Sequence, residues 1–371
     1  MTKSRQQWSL LANKTRWATV AITTVTVASL MAPSYAAAEG EAVLTEKATP
    51  STNISDKTND VFASRKALYD RISTLTQIPW HRLAAIDQYE RTLTKVHPKD
   101  RKHPERLIGI YVPSTAWTGP LNPNQEDTYP ATIELYSGLG RDGDGDGKAD
   151  PNNNMDLLYS ISSKLQPFGH SSDDFAIGLW SYYQNSRAVQ RIMQYSKMYE
   201  KFGKLDLFDH SFPLPVGNNY SYRSTFGMGR SWGGYRIHEG TDLFAGYGVT
   251  VRSTCYGVVE LKGWNKYGGW RIGIRDLNNH YHYYAHLQGF DKSIKSGDVV
   301  SPGQTIGWVG SSGYGKPGTQ GKFPPHLHYG IYRDTGLSEW SFDPYPLLKH
   351  WENEERQAIR RSKSKKTHPN D

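Results

Sequence analysis

The hydrophobic patterning changes once along the chain, near residue 205, and that change limits what the chain can fold into. Before it, apolar residues recur at helical spacing. After it, from 206 to 351, Gly, Val and aromatic residues fall into short alternating runs broken by turn signals. A period of 3.6 does not settle into a sheet, nor a period of two into a helix. The expected fold class is therefore multidomain: a mostly α region over 61–205, followed by an antiparallel β region over 206–351. At 371 residues the chain is long enough for both.

The ends read differently. Residues 1–16 are basic and hold no acid, Trp17 to Ala32 is apolar, and Ser34-Tyr35-Ala36 or Ala36-Ala37-Ala38 offers small residues for cleavage. This predicts a signal peptide over 1–36, a linker over 37–60, and no stable membrane span after signal cleavage. The body is then expected outside the cytoplasm, secreted or in the cell wall. A single cysteine, Cys255, agrees with an oxidising compartment and excludes a disulfide framework or a four-cysteine zinc site. The net charge of +8 comes from the ends: Lys3, Arg5, Lys14 and Arg16 in front, and Arg360, Arg361, Lys363, Lys365 and Lys366 behind. Residues 352–371 read as a basic disordered tail that begins as a frayed helix at Glu352, and the near-neutral body argues against a nucleic-acid partner.

The β region carries the chemistry. It holds His238-Glu239-Gly240-Thr241-Asp242, His280-Tyr281-His282-Tyr283-Tyr284-Ala285-His286 and Pro325-His326-Leu327-His328-Tyr329. Residues i and i+4 share a face, so His238 and Asp242 can converge, and on a strand His326 and His328 share a face too. Two imidazoles and one carboxylate make a three-ligand zinc set that leaves a position for water. Zinc acidifies that water and polarises a carbonyl, and a further imidazole can take the proton or steady the oxyanion. Spacing alone leaves the choice open, because His280, His282 and His286 also share one face. Cys255, the rival nucleophile, lies in a strand-and-turn context with no device to lower its pKa, and reads as a small buried residue.

These motifs, with the run Gly263 to Gly269, Tyr284-Ala285-His286-Leu287, Gly297 to Gly307 and Gly310 to Tyr314, resemble the lysostaphin-type (LytM-like) zinc endopeptidases of bacterial cell walls. The resemblance runs from about Arg236 to Tyr332 and implies a compact antiparallel β core with the metal in an open groove. It implies that His238, Asp242 and His328 are zinc ligands and that His286 and His326 are catalytic. His280 and His282 match no catalytic position of that family and are expected to be structural or to contact substrate. The segment Gly315 to Pro324 is longer than in lysostaphin itself and is expected to shape one groove wall.

In the helical region, Pro79 opens a helix on which Leu83, Ile86, Glu90 and Leu93 form one stripe, so Glu90 takes an apolar-face position. A carboxyl there would have the raised pKa a general acid needs. Downstream, Asp142, Asp144, Asp146 and Asp150 alternate with Gly and Ala as oxygen ligands do in a calcium loop, with Asn153 rather than Glu at the twelfth position and Asp156 nearby. From Ile78 to Tyr199 the chain resembles a lytic transglycosylase or lysozyme-like domain, which implies Glu90 as catalytic acid; Arg91 follows it where that family usually has Ser.

The sequence thus predicts a secreted hydrolase with peptidoglycan as partner, cutting an amide of the peptide stem or cross-bridge. The whole-chain arrangement is similar to wall endopeptidases of sporulating bacteria, which implies an L-Ala–D-Glu bond in spore cortex or wall remodelling. The alternatives are glycan cleavage at Glu90, or a non-catalytic activator of other wall hydrolases.

Overall fold

The structure is a computed structural model that describes residues 54–96, 106–230, 235–336 and 338–367. The expected signal peptide and most of the expected linker lie outside the described residues. Helix α1 (Ile54–Thr76) begins inside the segment expected as linker. Its polar start holds no Gly or Pro to stop it, and the buried Tyr69 and Ile72 further along anchor it.

Gln77 in the left-handed region turns the chain, and Pro79 sits just before α2 (Trp80–Val96), as its φ preference favours. Short helices α3 (Ser114–Thr118) and α4 (Pro130–Leu135) lead to α5 (Asn154–Leu165), α6 (Ser172–Tyr183) and α7 (Ser186–Phe202). Starts are set by side-chain caps: Asn153 on α5, a Ser171/Asp174 capping box on α6, and Asn185 on α7.

The second region is one antiparallel sheet with side additions. Its strands are β1 (Tyr220–Tyr222), β2 (Gly229–Arg230), β3 (Arg236–Ile237), β4 (Thr241–Ala245), β5 (Thr250–Arg252) and β6 (Gly257–Asn265). They continue with β7 (Gly269–Arg275), β8 (His280–Phe290), β9 (Val299–Val300), β10 (Thr305–Val309), β11 (His326–Asp334) and β12 (Glu339–Phe342). The main path runs β1-β4-β11-β8-β7-β6-β9, β10 bridges β5 and β8, β12 borders β11, and β2 and β3 form a separate ribbon. The β7–β8 hairpin turns at Asn279 in the left-handed region, as the asparagine pair in its turn predicts.

Helix α7 covers the β6/β9 side of the sheet, and Val258, Leu277 and Val299 join the helical core. The junction also holds buried charge. Arg191 of α7 pairs with Glu260 and, at 3.1 Å, with Asp334; Arg275 bonds Glu260 at 3.1 Å and Glu339 at 2.8 Å. Covering the sheet edge removes a row of open backbone groups that would otherwise invite pairing.

In the tail expected over 352–371, the frayed helix expected from Glu352 is longer and better anchored than expected. Helix α8 runs Tyr345–Thr367. Leu348 and Trp351 are buried in the sheet's core, Tyr220 and Tyr222 donate to Glu352 at 2.7 and 2.6 Å, and Arg252 pairs with Glu355 at 2.8 Å. These anchors hold the basic end helical despite its charge.

Candidate active site

Register brings the site together. In the β4–β11 ladder His328 sits directly opposite Asp242, and in the β11–β8 ladder it sits opposite Ala285. His326 and His328, two apart on β11, share its face as alternation requires. His238 arrives differently from expectation. It precedes β4 in a short loop with Glu239 and Gly240, so turn geometry rather than a shared strand face aims it at Asp242. Gly240 permits this: a Cβ there would lie 2.5 Å from the Tyr329 carbonyl oxygen and 2.7 Å from His328 Cε1.

The three expected ligand atoms form a small triangle. His238 Nε2 lies 2.9 Å from His328 Nδ1 and 3.1 Å from Asp242 Oδ1, and His328 Nδ1 lies 3.0 Å from Asp242 Oδ1. Donors at about 2.0–2.1 Å around a tetrahedral zinc ion stand roughly 3.3 Å apart. The set therefore fits zinc in both donor type and size. The other ring nitrogen of His238 lies 2.9 Å from the Thr225 carbonyl, which orients the ring from behind. Burial would raise the Asp242 carboxyl, but hydrogen bonds from His238 and His328 outweigh it and hold the group far below the usual carboxylate range. It is an anion at any physiological pH, as a metal ligand must be.

His326 and His286 flank the triangle. His326 Nδ1 lies 2.9 Å from the Pro324 carbonyl, so that nitrogen carries the hydrogen. Its Nε2 is buried, has no hydrogen-bond partner, and stands 3.8 Å from Asp242 Oδ1. His286 Nδ1 donates likewise to the Ser312 carbonyl at 2.8 Å. The two rings are 4.8 Å apart, and burial lowers both pKa values, so both are neutral with one lone pair each. His286 lies inside its strand. Strand β8 continues to Phe290 and carries an extra residue here: Trp270 faces Leu287, but Ile272 faces Tyr284. His286 sits in that bulge with φ +61°, a costly conformation for a non-glycine residue that re-aims its ring.

Several groove residues escaped the sequence reading. Arg230 contacts Asp242 and lies 3.0 Å from His238 Nε2. Arg236, Tyr267, Tyr283, Tyr314 and Tyr332 line a groove of about 150 Å³ that also touches His238, His286 and His328. Phe323, from the long 315–324 segment, packs 4.7 Å from His286 and 5.1 Å from His326, while Tyr314, just before that segment, lines the groove itself. The aromatic residues carried no periodic signal, and Arg230 and Arg236 flank a Gly-rich stretch that reads only as loop.

His280 and His282 stand apart from the triangle. His282 is fully buried, with Nδ1 2.7 Å from Tyr329 Oη and Nε2 3.3 Å from Asp276. Of the two roles expected of it, structural or substrate-contacting, these contacts fit the structural one. Cys255 is buried too, and burial pushes its thiol up, away from nucleophile behaviour.

In the helical region, Glu90 is 3% exposed on the apolar stripe of α2, and Tyr183 donates to its Oε1 at 2.9 Å. The region's cavity of about 780 Å³ is lined by residues of α3, α5 and their neighbours, with Tyr182 of α6 but without Glu90. Asp142, Asp144 and Asp146 bring ligand atoms within 4.8 Å of one another. Asp150 is not in that group. Asn153 caps α5, and Asp156 turns inward to accept from the amides of Gly143 and Asp150, both at 2.8 Å. The acidic residues thus spend their oxygens largely on the loop's own backbone, as in Asx turns.

Comparison with known proteins follows the same division. The description "Peptidase family M23" matches residues 236–344. The L-Ala--D-Glu endopeptidase of Bacillus subtilis (strain 168) is 54% identical over 308 residues, 83% of this chain and 94% of that protein. That match extends well beyond the M23 segment and takes in helical sequence. The glycyl-glycine endopeptidase ALE-1 of Staphylococcus capitis is 34% identical over 137 residues, 35% of each chain. Among solved structures, the antimicrobial peptidase lysostaphin from Staphylococcus simulans aligns with TM-score 0.31 and 31% identity, over 39% of this chain and 55% of that one.

Proposed function

Because the chain belongs to peptidase family M23, whose peptidoglycan endopeptidases depend on zinc, we propose that His238, Asp242 and His328 hold that zinc while His326 and His286 serve the hydrolysis of an L-Ala–D-Glu amide. Metalloendopeptidase activity on peptidoglycan follows from family and relative; the residue roles and the bond are this reading's own. The observation that carries it is the triangle of donor atoms with the unpartnered Nε2 of His326 beside it.

Zinc held there supplies an acidified water and a polarised amide carbonyl. The chain's own part is as follows. His326, with Nδ1–H committed to the Pro324 carbonyl, offers Nε2 to accept a proton as the amide is attacked and to return it to the departing amine. His286, with Nδ1–H committed to the Ser312 carbonyl, presents Nε2 as a hydrogen-bond acceptor toward the same centre. Phe323 packs against both rings and Tyr314 stacks on His286, which limits water around them and strengthens their polar contacts.

Action outside the cytoplasm is part of the proposal. It is supported by the peptidoglycan substrates of the relatives and by the export pattern of residues 1–36. Among the described residues no helix is long and apolar enough to cross a membrane. A sporulation setting rests on the whole-chain resemblance. The lysozyme-like reading of the helical region rests on the sequence of Ile78 to Tyr199, and calcium rests on the clustering of Asp142, Asp144 and Asp146.

Mass spectrometry of fragments released from purified peptidoglycan, with and without a zinc chelator, tests the main reading. The expected result is chelator-sensitive release with a new amine on D-Glu, and a His238→Ala variant that loses zinc and release together. Chelator-resistant release, or an active His238→Ala variant, would overturn it.

A further inference from the structure

Register carries the face of the sheet that holds the zinc triangle onto one more strand. In the β1–β4 ladder Ser221 sits opposite Phe244, and Tyr222 sits opposite Leu243. One residue further, Arg223 comes level with Asp242, and alternation turns Ser221 and Arg223 to the side of Phe244 and Asp242. These side chains meet in a second opening beside the triangle, a pocket of about 480 Å³ that also touches Thr225, Met228, Arg230 and His238. Phe244 and Met228 are exposed there, and the Phe244 ring lies 5.2 Å from that of His326.

The charges of this pocket do not balance. Among its described lining residues Asp242 is the sole acid, and its oxygens are committed to His238, His328 and Arg230. Arg223 is exposed and, among the described residues, makes no hydrogen bond or ion pair. The Thr225 hydroxyl at the pocket wall has no hydrogen-bond partner there either. An unpaired guanidinium beside apolar side chains, next to a site for a dication, suits an anionic group carried by an extended ligand.

The proposed substrate supplies such a group. Its alanine contributes no carboxylate, because that carbonyl is the scissile one. The D-glutamyl residue has two carboxyl groups, and at most one continues the chain. A carboxylate therefore remains on the departing side, within a few bonds of the scissile amide, and the pocket that receives it must adjoin the metal site. This pocket does, since His238 and Asp242 line it. The groove of about 150 Å³ has Glu239 in its lining and is the worse host for an anion. A glycyl-glycine bond brings no such group.

We propose that Arg223 is a specificity-determining residue, its guanidinium binding the free carboxylate of the D-glutamyl residue while Phe244 and Met228 receive that residue's methylene groups. This rests on the L-Ala–D-Glu and zinc-site reading above. The contact fixes the departing side of the amide against the sheet face that carries His326 and His328, which aligns the bond with the reacting centre.

The test uses two synthetic stem peptides that contain L-Ala–D-Glu, one with the free carboxylate and one with that group as the amide. Each is given to the zinc-loaded full chain, to Arg223→Gln and to Arg223→Lys, with zinc content measured for all three. The wild-type protein is expected to prefer the acid by about 10-fold in kcat/KM, the lower end for a hydrogen bond to a charged group, as suits an exposed pair. Arg223→Gln should bring that preference toward one, through a raised KM for the acid. Arg223→Lys should restore part of it as a point charge. Zinc content should be kept throughout, because Arg223 is not one of the three donors. Equal use of acid and amide by the wild-type protein would overturn the proposal. So would an Arg223→Gln variant that keeps the acid preference, that loses both substrates equally, or that loses its zinc. Failure of the underlying reading has a separate signature, wild-type cleavage that persists in chelator or falls at another bond, and the proposal falls with it.

Discussion

Asp242 in the sheet and Glu90 in the helices are both buried carboxylates, 6% and 3% exposed, so burial does not distinguish them. Their company does. Asp242 faces two imidazoles and Arg230, with the Nε2 of His326 close by, and lines an open pocket of about 480 Å³ together with Arg230 and His238. Glu90 faces a tyrosine hydroxyl and lines none of the large cavity of its own region. A carboxylate acts on a substrate when its oxygens are shared with a reactive centre that the substrate can reach.

The largest test of that contrast removes His326. His326→Ala should lower kcat by about 10²- to 10⁴-fold, the usual worth of a positioned general acid–base. Metal content should stay near that of the wild-type protein, because the ligand triangle does not include His326. Parallel measurements of zinc by mass spectrometry and of amide release check both halves. Loss of zinc would place His326 among the ligands, and retained activity would remove it from the chemistry.

Next in size is the junction between the two regions. Arg191 lies buried between Glu260 and Asp334. Arg191→Ala leaves Asp334 without its cation in a buried setting, and such a loss costs about 3–5 kcal/mol. Urea denaturation followed separately by tryptophan fluorescence and far-ultraviolet circular dichroism would show it. In the wild-type protein the two signals should coincide, since α7 and the sheet share a core. In the variant they should separate, and if they still coincide at an unchanged midpoint the junction does not couple the regions.

A smaller effect separates the regions by pH. His210 stacks flat on Trp351 of α8, with ring centroids 4.8 Å apart. Burial, aided by His282 and His280, lowers its pKa from 6.5 to about 4, although Asp276 pulls the other way. The folded state therefore keeps this ring neutral where the unfolded chain would protonate it. Its contribution is complete above pH 6.5 and is lost as pH falls toward 4, to about 3 kcal/mol at most by linkage. His210→Phe should flatten the fall in Tm between those pH values. An unchanged slope would assign the acid sensitivity elsewhere, with Glu352 the next group to act. Burial would raise Glu352, but hydrogen bonds from Tyr222, Tyr220 and Arg356 outweigh it and hold it at about 2, so its stabilisation is lost only below the ordinary carboxylate range.

What the sequence revealed and what it hid have physical causes. His326 and His328 were legible because strand alternation is fixed at two, so a His-x-His pair must share a face. The stripe that carries Glu90 was legible for the same kind of reason. The bulge at His286 was not, because one extra residue in a strand leaves no mark in a hydrophobic pattern. The path of His238 depends on Gly240 approaching the Tyr329 carbonyl, a contact made across the sheet. The full length of helix α8 was hidden by its charge, which reads only as a frayed helix from Glu352. Its anchors Tyr220 and Tyr222 lie some 130 residues earlier, and composition holds no trace of them. Arg230 and Arg236 gained significance only when their strands paired.

The smallest expected effect bears most directly on the contrast between the two carboxylates. Glu90→Gln keeps the shape of the side chain and an oxygen that can still accept from the Tyr183 hydroxyl. Stability should therefore change by no more than about 1 kcal/mol, the net worth of one such hydrogen bond. Chelator-sensitive amide release should stay within about twofold of wild type, since Glu90 lies on α2 and the zinc triangle is made by His238, Asp242 and His328 of the β region. Fragment masses from whole peptidoglycan decide the matter, because they report both bonds at once. Anhydro-muramic ends that appear with the wild-type protein and vanish with Glu90→Gln would mean that the helices open enough to admit a glycan, and enclosure by Tyr183 would then describe a resting state. Their absence from both digests would leave Glu90 as a carboxylate that secures the helices, with the chemistry of the chain confined to the sheet.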